Sequence, residues 1–146
     1  MAIVSEKLQE KLDVLNEKIR DCFLKNDHLG IINAELKKWD LLPAPKEIYD
    51  ESFHIAKSLI EEYIELKNEK EAINWSKKIQ ECDLGRFDCG EREFILGKTL
   101  FEFHHFQDSI NFIQIAYKKS KGREFKGKDP KYLDFYLHPE KYIKES

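Results

Sequence analysis

The chain has 146 residues, 25 Lys and Arg against 28 Asp and Glu, and a formal net charge of -3. That length suits one domain with its own core, and 6 Gly with 4 Pro in a 36% charged chain exclude collagenous and disulfide-scaffold classes. A pI near 6.0 gives no general attraction to phosphate, which argues against nucleic acid as a partner. No run approaches the ~20 apolar residues that cross a bilayer. The start, Met1-Ala2-Ile3-Val4-Ser5-Glu6-Lys7, lacks a secretory pattern. Cys22, Cys82 and Cys89 have no CxxC spacing. The expectation is a cytoplasmic chain with reduced thiols, no membrane segment, no metal and no cofactor.

From Ser5 to Lys25 the apolar residues Leu8, Leu12, Leu15, Ile19, Cys22 and Phe23 recur at helical steps between charged residues. Asn26-Asp27-His28 supplies a turn in which Asp27 can cap the next helix. That helix carries Ile31, Ile32, Leu36 and Trp39 and stops at Leu42-Pro43-Ala44-Pro45, because two prolines this close cannot continue it. Ile48 to Leu66 places Phe53, Ala56, Leu59, Ile60 and Tyr63 on one side. Lys67-Asn68-Glu69 turns the chain into a helix with Ala72, Ile73, Ser76 and Ile79. Cys82 to Gly90 reads as a loop. A third pair then carries Phe94, Leu96, Gly97, Leu100 and Phe101, a turn near His104 to Asp108, and Ser109, Ile110, Phe112, Ile113, Ala116 and Tyr117.

The turns align with one another. Residues 25–32 lie over 66–73, and 66–73 over 103–110, at intervals of 41 (from 32 to 73) and 37 (from 73 to 110) residues. Helix pairs at such a period indicate an α-solenoid. Leu96-Gly97, Leu100, Ser109, Ile113 and Ala116 resemble a tetratricopeptide repeat, and Leu59, Tyr63, Ala72 and Ile79 follow the same spacing with Ile60 at the glycine position. Asp129-Pro130 is a cap and first-turn pair for a last helix in which Tyr132, Leu133, Tyr136 and Leu137 would cover the open end, until Pro139 ends it. The expected fold is all-α: a single tetratricopeptide-like domain over 1–146, a right-handed α-solenoid of about three helical hairpins plus a C-terminal capping helix.

A wider resemblance rests on Leu42-Pro43-Ala44-Pro45-Lys46, Tyr49-Asp50-Glu51-Ser52-Phe53, Cys82-Asp83-Leu84, Gly90-Glu91-Arg92-Glu93-Phe94, Gly97-Lys98 and, above all, Ser120 to Leu133. Together these are similar to a family of small bacterial tetratricopeptide-like proteins of the polymorphic-toxin immunity type. The resemblance implies a cytosolic protein that binds and neutralises a cognate toxin domain, as in contact-dependent growth inhibition, and it carries no catalytic site.

Helical-pair solenoids usually bind on the concave face formed by the first helix of each pair. In that register the candidates are His54, Lys57, Glu61, Glu65, Glu91, Phe94, Lys98 and Phe101. Mixed charges with aromatics suit a protein partner, while packing between repeats is the alternative for Phe94 and Phe101. The acidic run Asp50, Glu51, Glu61, Glu62 and Glu65 would suit a basic ligand, or is simply a solvated face. The segment 118–131 holds Lys118, Lys119, Lys121, Arg123, Lys126, Lys128 and Lys131 against Glu124 and Asp129. Arg123 and Lys126 there are further partner-binding candidates, and an RNA-binding role through this segment is the lesser alternative, behind a peptide-binding scaffold or adaptor. His104-His105 lacks metal-ligand spacing, Cys89 has no adjacent base, and no GxSxG, HExxH, GxGxxG or P-loop pattern occurs. Stoichiometric protein binding, not catalysis, is the expected activity.

Overall fold

The computed structural model describes residues 2–144, whose regular elements are all helices, with no strand among the described residues. In chain order the helices are α1 (Glu6–Leu24), α2 (His28–Leu41), α3 (Asp50–Glu65), α4 (Glu69–Lys78), α5 (Glu91–Glu102), α6 (Phe106–Ser120) and α7 (Pro130–Leu137), with short 3-10 turns at Lys46–Ile48, Ile79–Glu81, Arg123–Phe125 and Pro139–Lys141. The chain divides into two compact units, Met1–Arg86 and Phe87–Ser146. The sequence reading of 1–146 as one domain drew no such boundary. No helix among the described residues is long and apolar enough to cross a membrane.

Three helix pairs, α1 with α2, α3 with α4 and α5 with α6, pack as neighbours in sequence, and one turn geometry joins all three. Asn26, Lys67 and His104 adopt left-handed backbone with φ of 54, 58 and 65°. At each turn the left-handed residue donates its N–H to the carbonyl three residues back, from Asn26 to Phe23, Lys67 to Ile64 and His104 to Phe101. The next residue donates five back, from Asp27 to Cys22 (2.8 Å), Asn68 to Tyr63 (2.9 Å) and His105 to Leu100 (2.8 Å). This double bond is the Schellman ending of a helix, which satisfies carbonyls left orphaned at its C-terminus. The same residue then starts the following helix. The Asp27 side chain accepts from Gly30 N–H at 3.0 Å, and that of Asn68 from Glu71 N–H at 3.2 Å. The repeat register read from the sequence is thus the register of the turns.

In the N-terminal unit, Phe53, Ile55, Ala56, Leu59, Ala72 and Ile79 are fully buried, and Trp39 of α2 meets Trp75 of α4 edge to face at 5.0 Å. Pro43 prevents α2 from continuing. Lys46 instead folds back and donates its ammonium to the carbonyls of Trp39 (2.9 Å) and Leu42 (2.6 Å), capping the negative end of the helix. On α1 the expected stripe is incomplete, because only Leu12 and Cys22 are buried and Phe23 is 69% exposed.

The C-terminal unit is built around an aromatic cluster of Phe94, Phe101, Phe125, Tyr132 and Phe135, with Ile113 and Ala116. α5 approaches α6 closely at Gly97, where a Cβ would stand 2.9 Å from Ile113 Cδ1, and Ser109 Oγ donates to the Gly97 carbonyl at 2.6 Å. The capping helix forms where expected: the Asp129 side chain accepts from Lys131 N–H at 3.0 Å and Pro130 fills the first turn. Its buried face differs from the expected one. Tyr132 and Phe135 are buried, whereas Leu133 and Leu137 are 37% and 56% exposed. Residues at 132, 135 and 136 share one helical face, and that face carries three rings where 133 and 137 carry two leucines, so the more aromatic face turns inward.

Candidate functional site

The residues predicted to line a concave face divide between the units. On α3, His54, Glu61 and Glu65 are exposed and Lys57 is half-buried, and their spacing places them along one stripe of that helix. On α5, Glu91, Phe94 and Lys98 also share a stripe, but Phe94 is only 2% exposed. Its expected role as a partner anchor is therefore corrected: the chain's own tail occupies that place. Phe125 and Tyr132 meet the Phe94 ring edge to face at 5.1 and 5.5 Å, and Lys128 lies over it at 5.5 Å. Burial of a phenyl group against such partners is worth about 1.5–3 kcal/mol, more than an open groove position returns. Phe101 is covered in the same way, against Tyr132 at 5.4 Å and Phe135 at 5.1 Å.

In the basic segment, Lys119, Lys128 and Lys131 have carboxylate neighbours within their own unit. Lys119 donates to Asp88 at 2.8 Å and also to Glu93, which raises the lysine and lowers Asp88 relative to their ordinary values. Lys131 stands 2.9 Å from Glu102, and Lys128 lies 4.0 Å from Glu124. Tyr132 donates to the same Glu102, and burial followed by this bond raises the phenol strongly. Arg123 directs its Nε to the Ser120 carbonyl at 3.1 Å, while Lys126 remains exposed.

Cys89, half-buried, has its thiol 3.4 Å from Glu124 Oε1, and ligand atoms of Cys89, Glu91 and Glu124 lie within 4.8 Å of one another. These are the groups of the C-terminal unit that sequence reasoning did not join, since Glu124 lies far along the chain. Burial, and after it the nearby carboxylates, push the thiol up, so it is held as the protonated donor and not as a reactive thiolate. His104 and His105, the other residues weighed for metal, are both exposed.

Two grooves of the N-terminal unit lie on either side of the extended segment Ala2 to Val4. Ala2 donates its N–H to the Ile48 carbonyl at 3.3 Å and forms an isolated parallel bridge with Tyr49. Asp83, with a left-handed φ of 50°, donates its N–H to the Glu47 carbonyl at 2.7 Å, which holds the loop after α4 against the same turn. Between them is a groove of about 430 Å³ lined by Ala2, Glu47, Ile48, Glu81, Asp83, Leu84 and Gly85. A neighbouring groove of about 480 Å³ is lined by Ala2, Ile3, Val4, Glu6, Gln9, Asp50 and Glu51. Their rims are apolar and open, with Ile3 89%, Leu84 73% and Ile48 46% exposed. Every charged residue among the described lining residues is acidic.

The acidic run noted in the sequence therefore splits. Asp50 and Glu51 sit at the start of α3 in the second groove, whereas Glu61 and Glu65 lie about 15 and about 21 Å beyond Glu51 along that helix at its rise of about 1.5 Å per residue. Glu62 is engaged by His28 Nδ1 at 2.7 Å. Burial first, and then the Asp50 carboxyl, raise Glu51 above the usual glutamate range. Sequence reasoning reached Asp50 and Glu51 but missed Ile3, Glu47, Glu81 and Leu84. Only their meeting at one end of the unit makes them a site, and no local pattern marks it. No protein-family model matches the chain, and no similar curated protein or solved structure was found.

Proposed function

We propose that this protein is a stoichiometric binding protein of the immunity type, a cytoplasmic tetratricopeptide-like solenoid that neutralises a cognate toxin domain by covering a basic surface on it. The supporting observation is the pair of grooves flanking Ala2 to Val4, with apolar rims and with every charged residue among the described lining acidic. Apolar rims supply area to bury, while one sign of charge selects the partner and speeds encounter. Partner domains that attack nucleic acid are commonly basic, so an acidic counter-surface is physically suited to them. The resemblance of the Ser120 to Leu133 segment to immunity-type proteins points the same way. A peptide-binding adaptor would use the same grooves with several weaker ligands. The RNA reading is the poorest of the three, since Lys119, Lys128 and Lys131 already have carboxylate neighbours.

The test is capture of partners by the tagged full chain, followed by association kinetics at low salt with a Glu47→Lys/Glu81→Lys variant. The expected result is one dominant protein in equal stoichiometry, with an association rate reduced about tenfold or more in the variant and the difference shrinking as salt rises. Retention of nucleic acid alone, or many unrelated proteins, rejects the proposal.

A further inference from the structure

Three donor groups of two chemistries meet at the head of α5 from separate parts of the C-terminal unit. Cys89 lies in the loop before α5, Glu91 is the first residue of that helix, and Glu124 belongs to the 3-10 turn Arg123–Phe125 after α6. Their thiol and carboxylate atoms all lie within 4.8 Å of one another, and all three residues are half-buried. The lysines of this region address other atoms. Lys119 pairs with Asp88 and Glu93, and Lys128 stands 4.0 Å from Glu124 Oε2, whereas Oε1 faces Cys89 Sγ at 3.4 Å. A thiol is a weak donor, so this contact returns little for crowding two carboxylates beside a sulfur. The same 3.4 Å fits a second arrangement. With Zn–S and Zn–O bonds of about 2.3 and about 2.1 Å, two ligands of a tetrahedral ion stand about 3.6 Å apart.

We propose that Cys89, Glu91 and Glu124 form a binding site for a divalent transition-metal ion of the zinc type, with water in the fourth position. One sulfur with two carboxylates suits zinc better than magnesium or calcium, which take oxygen ligands. As the ion binds, the Cys89 S–H bond breaks, its proton passes to the buffer and a sulfur–metal bond forms, with no electron transferred. The ligands belong to the loop before α5, to α5 itself and to the turn that begins the tail. A bound ion therefore ties the tail to the helix it covers, and stabilises the C-terminal unit because the unfolded chain holds no such site.

The experiment titrates the reduced full chain with cobalt chloride and then zinc chloride. It reads the thiolate-to-cobalt charge-transfer band in the near ultraviolet, and the melting temperature with and without zinc. The expected result is a band that saturates at one ion per chain, is erased by zinc and is absent in Cys89→Ser. Glu91→Gln and Glu124→Gln should each weaken cobalt about tenfold or more, since the loss of an outer partner alone costs about that much. Zinc should raise the melting temperature of wild type and leave that of Cys89→Ser unchanged. Melts without metal confirm that the variants are folded, and the two glutamate variants decide the matter should Cys89→Ser not be. A band that persists in Cys89→Ser assigns the metal to the buried Cys22 or Cys82 and overturns the proposal. So does cobalt bound equally well by both glutamate variants, which leaves a cysteine acting alone. No band at about 1 mM cobalt, a Kd too weak for a built site, overturns it as well, whether or not the ion binds loosely to carboxylates.

Discussion

The second and third helix pairs share one turn geometry, and setting α5 on α3 in that register makes the units comparable residue by residue. His54 corresponds to Glu91, Lys57 to Phe94, Glu61 to Lys98, Ile64 to Phe101 and Glu65 to Glu102. In the C-terminal unit the two aromatic positions are buried under Phe125, Tyr132 and Phe135. In the N-terminal unit the same stripe carries Lys57 and Ile64, is not apolar enough to demand a cover, and leaves His54, Glu61 and Glu65 exposed. Two substitutions along one helical face thus separate a pair that binds its own tail from a pair that does not. The C-terminal unit buries the rings of its two stripe positions under its own tail and pairs part of its basic charge, whereas the α3 stripe of the N-terminal unit stays open.

The sharpest way to break this contrast is to remove the cover. Phe135 is fully buried and packs on Phe101, Phe106 and Tyr142 at 5.1, 5.8 and 5.2 Å. Phe135→Ala is expected to cost about 3–5 kcal/mol by urea denaturation and to give the C-terminal unit affinity for a hydrophobic dye, as Phe94 and Phe101 become accessible. Stability within about 1 kcal/mol of wild type would show that the cap is dispensable and the comparison misdrawn.

A smaller effect is expected from the charges that secure the closed unit. Lys119 joins Asp88 and Glu93 from the end of α6, and its side chain is 38% exposed, so solvent screens much of the interaction. Lys119→Met should lose at most about 1 kcal/mol at low salt, with the loss reduced in molar salt. A salt-independent loss would mean that the lysine stem, not its charge, holds the loop before α5.

These features were unequally legible in the sequence. The turns could be read because each needs a helix ending and a helix start within three residues, and Asp27 and Asn68 are strong local signals for the start. The pairing of Asp129 with Pro130 was readable for the same reason. Phe94 could not be placed by periodicity alone, since a ring on a helical stripe has the same spacing whether it faces a partner or the chain's own tail. Its signal lay in the counterpart: the five rings Phe125, Tyr132, Phe135, Tyr136 and Tyr142 that follow the third pair need apolar partners of their own. The grooves were least legible. Ala2, Glu47, Glu81 and Leu84 are brought together by backbone bonds from Ala2 to Ile48 and from Asp83 to Glu47, which depend on a left-handed residue and an extended end that no pattern of side chains announces.

The smallest expected effect tests whether the open unit keeps its carboxylates at a cost to stability. Glu51 is raised above its ordinary 4.5, by burial first and by Asp50 next, with Lys38 opposing weakly. Because the folded chain then holds the proton more tightly than the unfolded chain, stability should fall as pH rises through the interval above 4.5. Below that interval both states are protonated and the penalty disappears. Glu51→Gln, which cannot ionise, should therefore melt at or slightly above the wild-type temperature at pH 7 and lose that advantage as the pH is lowered past 4. A variant less stable than wild type at pH 7 would mean that the ionised carboxylate is already well served by the first turn of α3 and by Lys38. A variant more stable at pH 7 but impaired in binding would show the pattern of a functional site, where a group held unfavourably in the free protein is satisfied by its ligand.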